Sequence, residues 1–309
     1  MRAAWASLSR AEQREVRAFL QRAQADEDRL AAQRLAAQCA LGVIDELPSG
    51  ALAFARSLAH ETGVRLMDAG RRFGVSSKAD GTLVTTVDID TDTAVGQAIQ
   101  TEYPAHGVLS EEHNRMFGDH EWCWVVDPID GTTNFASGFP VWGVLIGLLH
   151  YGEPVMGVAE FPPLAMQYHA ARGKGAWLND APIRVASEIR FNPNQLFATC
   201  SRAIKRAAQQ IPGKARSAGS TGFDLCAVAS GACVGSLDLT AHVWDIAAVS
   251  VIVSESGGHM VIDPGQGRAP LFPLQPGIDY TDAVFTVLAA CTPELLQDAQ
   301  ARFAPIVMS

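Results

Sequence analysis

Apolar and polar positions divide the chain into short segments with two different periods. Val16, Phe19, Leu20 and Ala23 recur at the spacing of one helix face. Ser9-Arg10-Ala11-Glu12 just before them reads as a capping box, in which a hydroxyl and a carboxylate satisfy free amides of the first turn. A second helix is expected through Leu30, Leu35 and Ala36, capped by Asp26 or Asp28 and stopped at Gly42. Residues 1–41 hold no Gly or Pro, and 12 of them are Ala. Residues 1–48 are therefore expected to form a helical hairpin, a packing appendage or an oligomer contact, joined to the rest at Pro48-Ser49-Gly50.

A third helix is predicted over residues 49–72, through Leu52, Phe54, Leu58 and Val64. A loop follows at 74–81, then an extended segment at 82–88 rich in Thr and Val, and a helix at 90–102. Short apolar runs predict strands at 108–109, 122–126 and 141–149, and a hairpin return at 154–160. Residues 168–171 and 176–178, around Gly173-Lys174-Gly175, predict another hairpin. Beyond it come a strand at 196–199, a helix at 222–229, and a helix at 244–256 stopped by Gly257-Gly258. Terminal strands are expected near Met260 and over 283–288. Helices and hairpins mix without a repeat period, so the pattern predicts a layered α/β or α+β fold.

Composition supports a folded chain with ample core: 48% of the residues are hydrophobic and 18% charged. The 24 basic and 33 acidic residues give a net charge of −9, with no Lys/Arg block, which argues against nucleic-acid binding. No membrane partner is expected, because the longest apolar stretch, residues 141–149, is far short of the roughly 20 residues a membrane helix needs. No signal-like segment opens the chain, and Cys39, Cys123, Cys200, Cys226, Cys233 and Cys291 form no CxxC pair. These features predict a soluble cytoplasmic protein with reduced thiols.

The candidate chemistry lies where apolar runs end. Residues 122–126 lead straight into Asp127-Pro128-Ile129-Asp130-Gly131-Thr132. Pro128 removes a donor, which leaves carbonyls such as that of Ile129 free to face a cation, and Gly131 allows close backbone approach to a ligand. Thr132 and Thr133 are expected to open a helix whose free amides favour an anion. Glu111 and Glu112 end another strand, Asp88 ends the extended segment, and Asp245 opens the helix at 244–256. Each acid taken singly is equally consistent with a turn or an N-cap. All-oxygen donors without paired His or Cys select hard ions, Mg²⁺ first and Mn²⁺ next.

Residues 78–88, Ser110-Glu111-Glu112, residues 127–135 (DPIDGTTNF) and residues 244–258 (WDIAAVSVIVSESGG) stand in order and at suitable separations. Together they resemble the inositol monophosphatase family of Mg²⁺-dependent, lithium-sensitive phosphatases, over about residues 50–290. The resemblance implies that Glu111, Asp127 and the Ile129 carbonyl hold one ion and that Asp127, Asp130 and Asp245 hold a second. A third, weaker ion would lie by Glu111, with Glu112 and Lys78 at this outer site. Thr132 and Asp88 would orient and deprotonate the attacking water, while Gly131, Thr132 and Thr133 would receive the phosphate.

Gly219 and Ser220, in Gly219-Ser220-Thr221, resemble the family's substrate-side loop, and Asp238 stands where a hydroxyl-binding Glu is usual, seven residues before Asp245. The segment from Trp142 to Leu149 resembles histidinol-phosphate phosphatases, whereas Thr133-Asn134-Phe135 with Gly138-Phe139-Pro140 resembles inositol phosphatases. An inositol-type polyol or sugar phosphate is the favoured substrate. Histidinol phosphate is the alternative, ahead of adenosine 3′,5′-bisphosphate and fructose 1,6-bisphosphate, and a non-catalytic binding protein stays open. The implied architecture is an α-β-α-β-α sandwich with halves 49–188 and 189–309, acting on a small phosphorylated metabolite as a homodimer.

Overall fold

Residues 143–150, which take in most of the apolar run at 141–149, form a strand of a seven-stranded sheet in which every one of them is buried. The computed structural model describes residues 5, 8–26, 29, 33, 36, 37, 40, 47–69, 75–77, 83–263 and 271–307. The chain forms two compact units, Met1–Ala51 and Leu52–Ser309.

In the first unit, helix α1 (Arg10–Ala25) starts at the expected capping box: the Ser9 amide donates to Glu12 Oε2 at 2.8 Å, and Ser9 Oγ accepts from the Glu12 amide. Its buried face differs from the expected one. Gln13, Arg17 and Ala23 are buried while Val16 and Phe19 are exposed, so Ala23 is the one residue of the expected stripe that is buried. Asp26, one of the two caps expected for a second helix, caps the C-terminus of α1. Most of the expected second helix lies outside the described residues.

The second unit is a layered mixed α/β fold. Helix α2 (Ala51–Ala69) precedes β1 (Val75–Ser77) and β2 (Leu83–Thr85), which pair antiparallel where a loop was expected at 74–81. Helix α3 (Thr86–Glu102) begins four residues earlier than predicted, so Asp88 sits in its first turn and not at a strand end. An acid in the first turn satisfies free amides and suits the helix dipole, which explains why the polar Thr-Val-Asp segment turns helical there.

The large sheet runs in the order β3 (Gly107–Ser110), β4 (Trp122–Asp130), β5 (Gly143–His150), β6 (Glu153–Phe161), β7 (Met166–Ala171), β8 (Ala176–Leu178) and β9 (Ala181–Ile183). β3 and β4 are parallel and the remaining neighbours antiparallel. Phe54 of α2 meets Tyr103, just past α3, and Trp124 of β4 edge-on, which places α2 over this sheet. A short helix, α4 (Thr132–Ser137), follows β4.

The second sheet has the order β11 (Lys214–Arg216), β10 (Leu196–Thr199), β12 (Gly235–Ala241), β14 (Phe285–Ala290) and β13 (His259–Asp263). Helix α5 (Ser201–Ala207) follows β10, and α6 (Thr221–Ala229) and α7 (Val243–Glu255) precede and follow β12. α6 and α7 pack together, α7 on the strands of the large sheet and α6 on β12 and β10, so this helix pair is the layer between the sheets. The terminal helix α8 (Pro293–Val307) packs on β14 and was not anticipated from the sequence. The main core is built where α7 meets both sheets, with Ile246, Val249, Ile252 and Val253 at or near zero exposure. Among the described residues no helix is long and apolar enough to cross a membrane.

Candidate active site

Strand β4 does not stop at Asp127, as the sequence suggested, but runs on to Asp130. Asp127 pairs with Leu145 and Asp130 with Gly143, so β4 takes three steps where β5 takes two. Side chains three apart on a regular strand point to opposite faces, and the extra residue of this bulge brings both carboxylates to one cavity. Pro128 lies inside the bulge, where its missing N–H costs no ladder bond. The Ile129 amide donates to Asp127 Oδ1 at 3.0 Å and fixes that carboxylate.

Asp245 reaches the same place from the first turn of α7, where its Oδ2 accepts the His242 amide at 2.7 Å. Two paired glycines, Gly147 on β5 and Gly157 on β6, let α7 lie directly on the sheet. A Cβ at Gly157 would stand 1.9 Å from the Ala248 carbonyl oxygen, and one at Gly147 would stand 3.1 Å from the Ala248 amide. Ala248 follows Asp245 by three residues, so this close approach sets the height of Asp245 above β4. Ligand oxygens of Asp127, Asp130 and Asp245 lie within 4.8 Å of one another.

Asp130 is held from the opposite layer. Ser220 Oγ donates to its Oδ2 at 2.5 Å, and the amides of Thr221 and Gly222 donate to its two oxygens at 3.1 and 3.0 Å. Asp130 thus caps α6, a helix 91 residues further along the chain, while Ser220 also caps it through the Phe223 amide. Gly131 has φ of 88°, and a Cβ there would stand 3.1 Å from the Val141 carbonyl and 3.2 Å from that of Gly219. Thr132 Oγ1 lies 3.3 Å from the fully buried Asp88 carboxylate and 3.1 Å from the Ile129 carbonyl.

Glu111, Asp127, Asp130 and Asp245 line one cavity of about 390 Å³, together with Ile129, Gly131, Thr132 and Thr133. Gly219, Thr221, Thr240, His242 and Trp244 line it as well, as do Arg115, Thr281 and Asp282. Burial, then Glu111, Asp245 and Asp130, raise the Asp127 carboxyl well above the carboxylate range. Burial and Asp130 do the same for Asp245, and burial pushes Asp130 up to about 6 against its hydrogen bonds from Ser220, Gly222 and Thr221.

Three expected residues take other places, the first being Ser220, which lines an adjoining cavity and not the acidic one. Glu112 points to Arg115, whose Nη2 is 3.7 Å from its carboxylate, and the Glu112 amide donates to Asp92. Asp238 lines an adjoining cavity of about 420 Å³ with Arg202, Lys205 and Asp224, and not the acidic one. Its carboxylate accepts from Thr221 Oγ1 at 2.8 Å, the Thr240 amide at 2.7 Å and Thr240 Oγ1 at 2.9 Å. Thr221 and Thr240 line both cavities, so Asp238 holds two side chains at the wall that the cavities share. Lys78 lies outside the described residues.

Arg115, Thr221, Thr240, His242, Thr281 and Asp282 are cavity residues that sequence reasoning did not single out. Arg115 follows Glu111 by four residues with no motif of its own. Thr221 was within reach, as the next residue after Gly219 and Ser220.

The model of the inositol monophosphatase family matches residues 48–300. A Nus factor SuhB of Pasteurella multocida is 34% identical over 211 residues, 63% of this chain and 76% of the relative. A histidinol-phosphatase of Chlorobaculum parvum is 33% identical over 217 residues, 67% of this chain and 83% of the relative. The solved extragenic suppressor protein suhB from Bartonella henselae superposes with a TM-score of 0.71 at 25% identity, covering 82% of this chain and 98% of its own. With two mixed sheets, the acidic cluster between layers and a family match over most of its length, this chain belongs to the inositol monophosphatase family.

Proposed function

We propose that this protein is a divalent-cation-dependent phosphomonoester hydrolase acting on a polyol or sugar phosphate, with Mg²⁺ as the working ion and Mn²⁺ as the alternative. One observation carries the reading: three inward-facing carboxylates, Asp127, Asp130 and Asp245, converge within 4.8 Å. Burying like charges together is costly, and a bound cation offsets that cost. The donor set fits a hard ion, because the cluster contains only carboxylates and no thiolate or imidazole.

Glu111, Asp127 and the Ile129 carbonyl would hold one ion; Asp127, Asp130 and Asp245 would hold another. Glu111 would border a third, weaker position. When bound, the ions acidify a water and stabilise the departing alkoxide. Thr132 Oγ1 has a single proton, and donating it to Asp88 leaves its lone pairs to orient that water and frees the Ile129 carbonyl for an ion. Asp88 would then take up the water's proton through Thr132. Gly131, Thr132 and Thr133 would receive the phosphate oxygens, and Gly219 would border the ester. Thr221 and Thr240, oriented by Asp238, would meet hydroxyls of the alcohol.

A histidinol-phosphate reading is favoured by the Chlorobaculum relative named histidinol-phosphatase. The test is phosphate release, with and without Mg²⁺, from inositol 1-phosphate, histidinol phosphate, fructose 1,6-bisphosphate, adenosine 3′,5′-bisphosphate and an aryl phosphate. Fastest Mg²⁺-dependent turnover on inositol 1-phosphate supports the polyol reading; fastest turnover on histidinol phosphate supports the second. Tight Mg²⁺ binding without turnover on any ester would make the chain a binding protein.

A further inference from the structure

Among the described residues, Arg115 is the only Lys or Arg that lines the acidic cavity. Its position is fixed at both ends. The Arg115 carbonyl accepts the Tyr280 amide at 2.9 Å, which ties the loop after Glu111 to the segment before β14. Its Nε donates to the Glu111 carbonyl, its Nη2 approaches Glu112 at 3.7 Å, and its guanidinium lies 6.0 Å from the centre of the Trp244 ring. A guanidinium has five N–H donors, so these contacts leave donors over. The side chain keeps 28% of its surface exposed.

The charge balance of the cavity gives those donors a task. Glu111, Asp127, Asp130 and Asp245 carry four negative charges, which two divalent ions neutralise, and a phosphomonoester dianion then adds two more. We propose that Arg115 is a substrate-binding residue of this cavity, a fixed guanidinium that holds the non-reacting oxygens of the phosphate dianion. This inference rests on the phosphatase reading above. A planar guanidinium suits two phosphate oxygens at once, and one already held in place loses little freedom on binding. Its side chain also lies beside Glu112, and Glu111 alone of the double Glu lines the cavity.

The competing role is a clasp that merely holds Glu111 in place, and the two roles move metal affinity in opposite directions. Arg115→Gln and Arg115→Lys should be compared with the wild type by calorimetry, titrating Mg²⁺ into metal-free protein and inorganic phosphate into Mg²⁺-loaded protein, alongside steady-state kinetics. If Arg115 holds phosphate, Arg115→Gln weakens phosphate binding and raises KM by about tenfold or more. It changes kcat less than KM, and Mg²⁺ affinity stays level or tightens by about threefold, since a like charge has gone. Arg115→Lys keeps the charge and restores part of the phosphate affinity. Mg²⁺ binding weakened tenfold with phosphate affinity intact, or kcat lowered with KM unchanged, would overturn the inference in favour of the clasp. Unchanged phosphate affinity in both variants would overturn it as well. A wild-type protein that neither hydrolyses esters nor binds phosphate would overturn the phosphatase reading and this inference together.

Discussion

The Asp130 carboxylate on β4 accepts a hydrogen bond from the Gly222 amide at 3.0 Å, so a residue of the large sheet caps a helix that packs on the other. The contact leaves no room for a side chain: a Cβ at Gly222 would stand 2.5 Å from Asp130 Oδ2 and 2.9 Å from Leu145 Cδ1. Gly222→Ala is therefore expected to cost about 1–3 kcal/mol of stability through overpacking. It should also weaken Mg²⁺ binding by moving Asp130. Denaturant unfolding and Mg²⁺ calorimetry check this, and a variant equal to wild type in both would refute the linkage.

Proton and cation compete for the same carboxylates. Asp127 and Asp245 are raised well above their ordinary range and Asp130 to about 6, in each case by burial first. In the unfolded chain all three titrate near 4. As pH rises from about 4 through 6, the unfolded chain releases protons that the folded, metal-free protein still holds, so this contribution to stability falls. Mg²⁺ binds the ionised cluster, so the rise in Tm that it produces should be larger near pH 8 than near pH 5.5. Thermal scans with and without Mg²⁺ at both pH values decide the point; a larger Mg²⁺ effect at the lower pH would contradict it.

Asp238 accepts from the hydroxyls of Thr221 and Thr240, two residues that line the acidic cavity. Removing it in Asp238→Ala should disorder the hydroxyl-binding wall. The expected loss in kcat/KM on inositol 1-phosphate is about tenfold, with a smaller loss on an aryl phosphate that offers no hydroxyls. Equal losses on both would show that Asp238 supports the acid cluster through Thr221 and does not select the alcohol.

The Met1–Ala51 unit and the acid cluster lie in different compact units. We therefore expect deletion of residues 1–41 to preserve Mg²⁺-dependent activity and to change the oligomeric state, read by light scattering. Loss of activity with an unchanged oligomer would count against this.

Local signals in the sequence located most of the second unit. Leu196–Thr199 is a strand with the expected ends, and α7 lies within one residue of its prediction at each end, because apolar runs there are bounded by Gly or polar residues. The departures come from tertiary contacts. The bulge between Asp127 and Asp130 is set by β5, and nothing within DPIDGT counts the residues opposite it. Asp130 was legible as a cap, but the helix that it caps lies 91 residues away. The same limit hid Arg115, whose place depends on Trp244 and Tyr280. On α1, the apolar stripe and the buried face share only Ala23.

The account turns on Asp127, which is 1% exposed and faces three other carboxylates. Its direct test is phosphate release from inositol 1-phosphate at saturating Mg²⁺ by wild type and Asp127→Asn, with Tm recorded for both. Asn keeps the shape and removes a charge from a crowded cluster. The metal-free variant should be folded and at least as stable as wild type, while turnover falls by about a thousandfold or more. Activity within about tenfold of wild type in a folded Asp127→Asn protein would contradict the assignment of this cluster as the catalytic metal site.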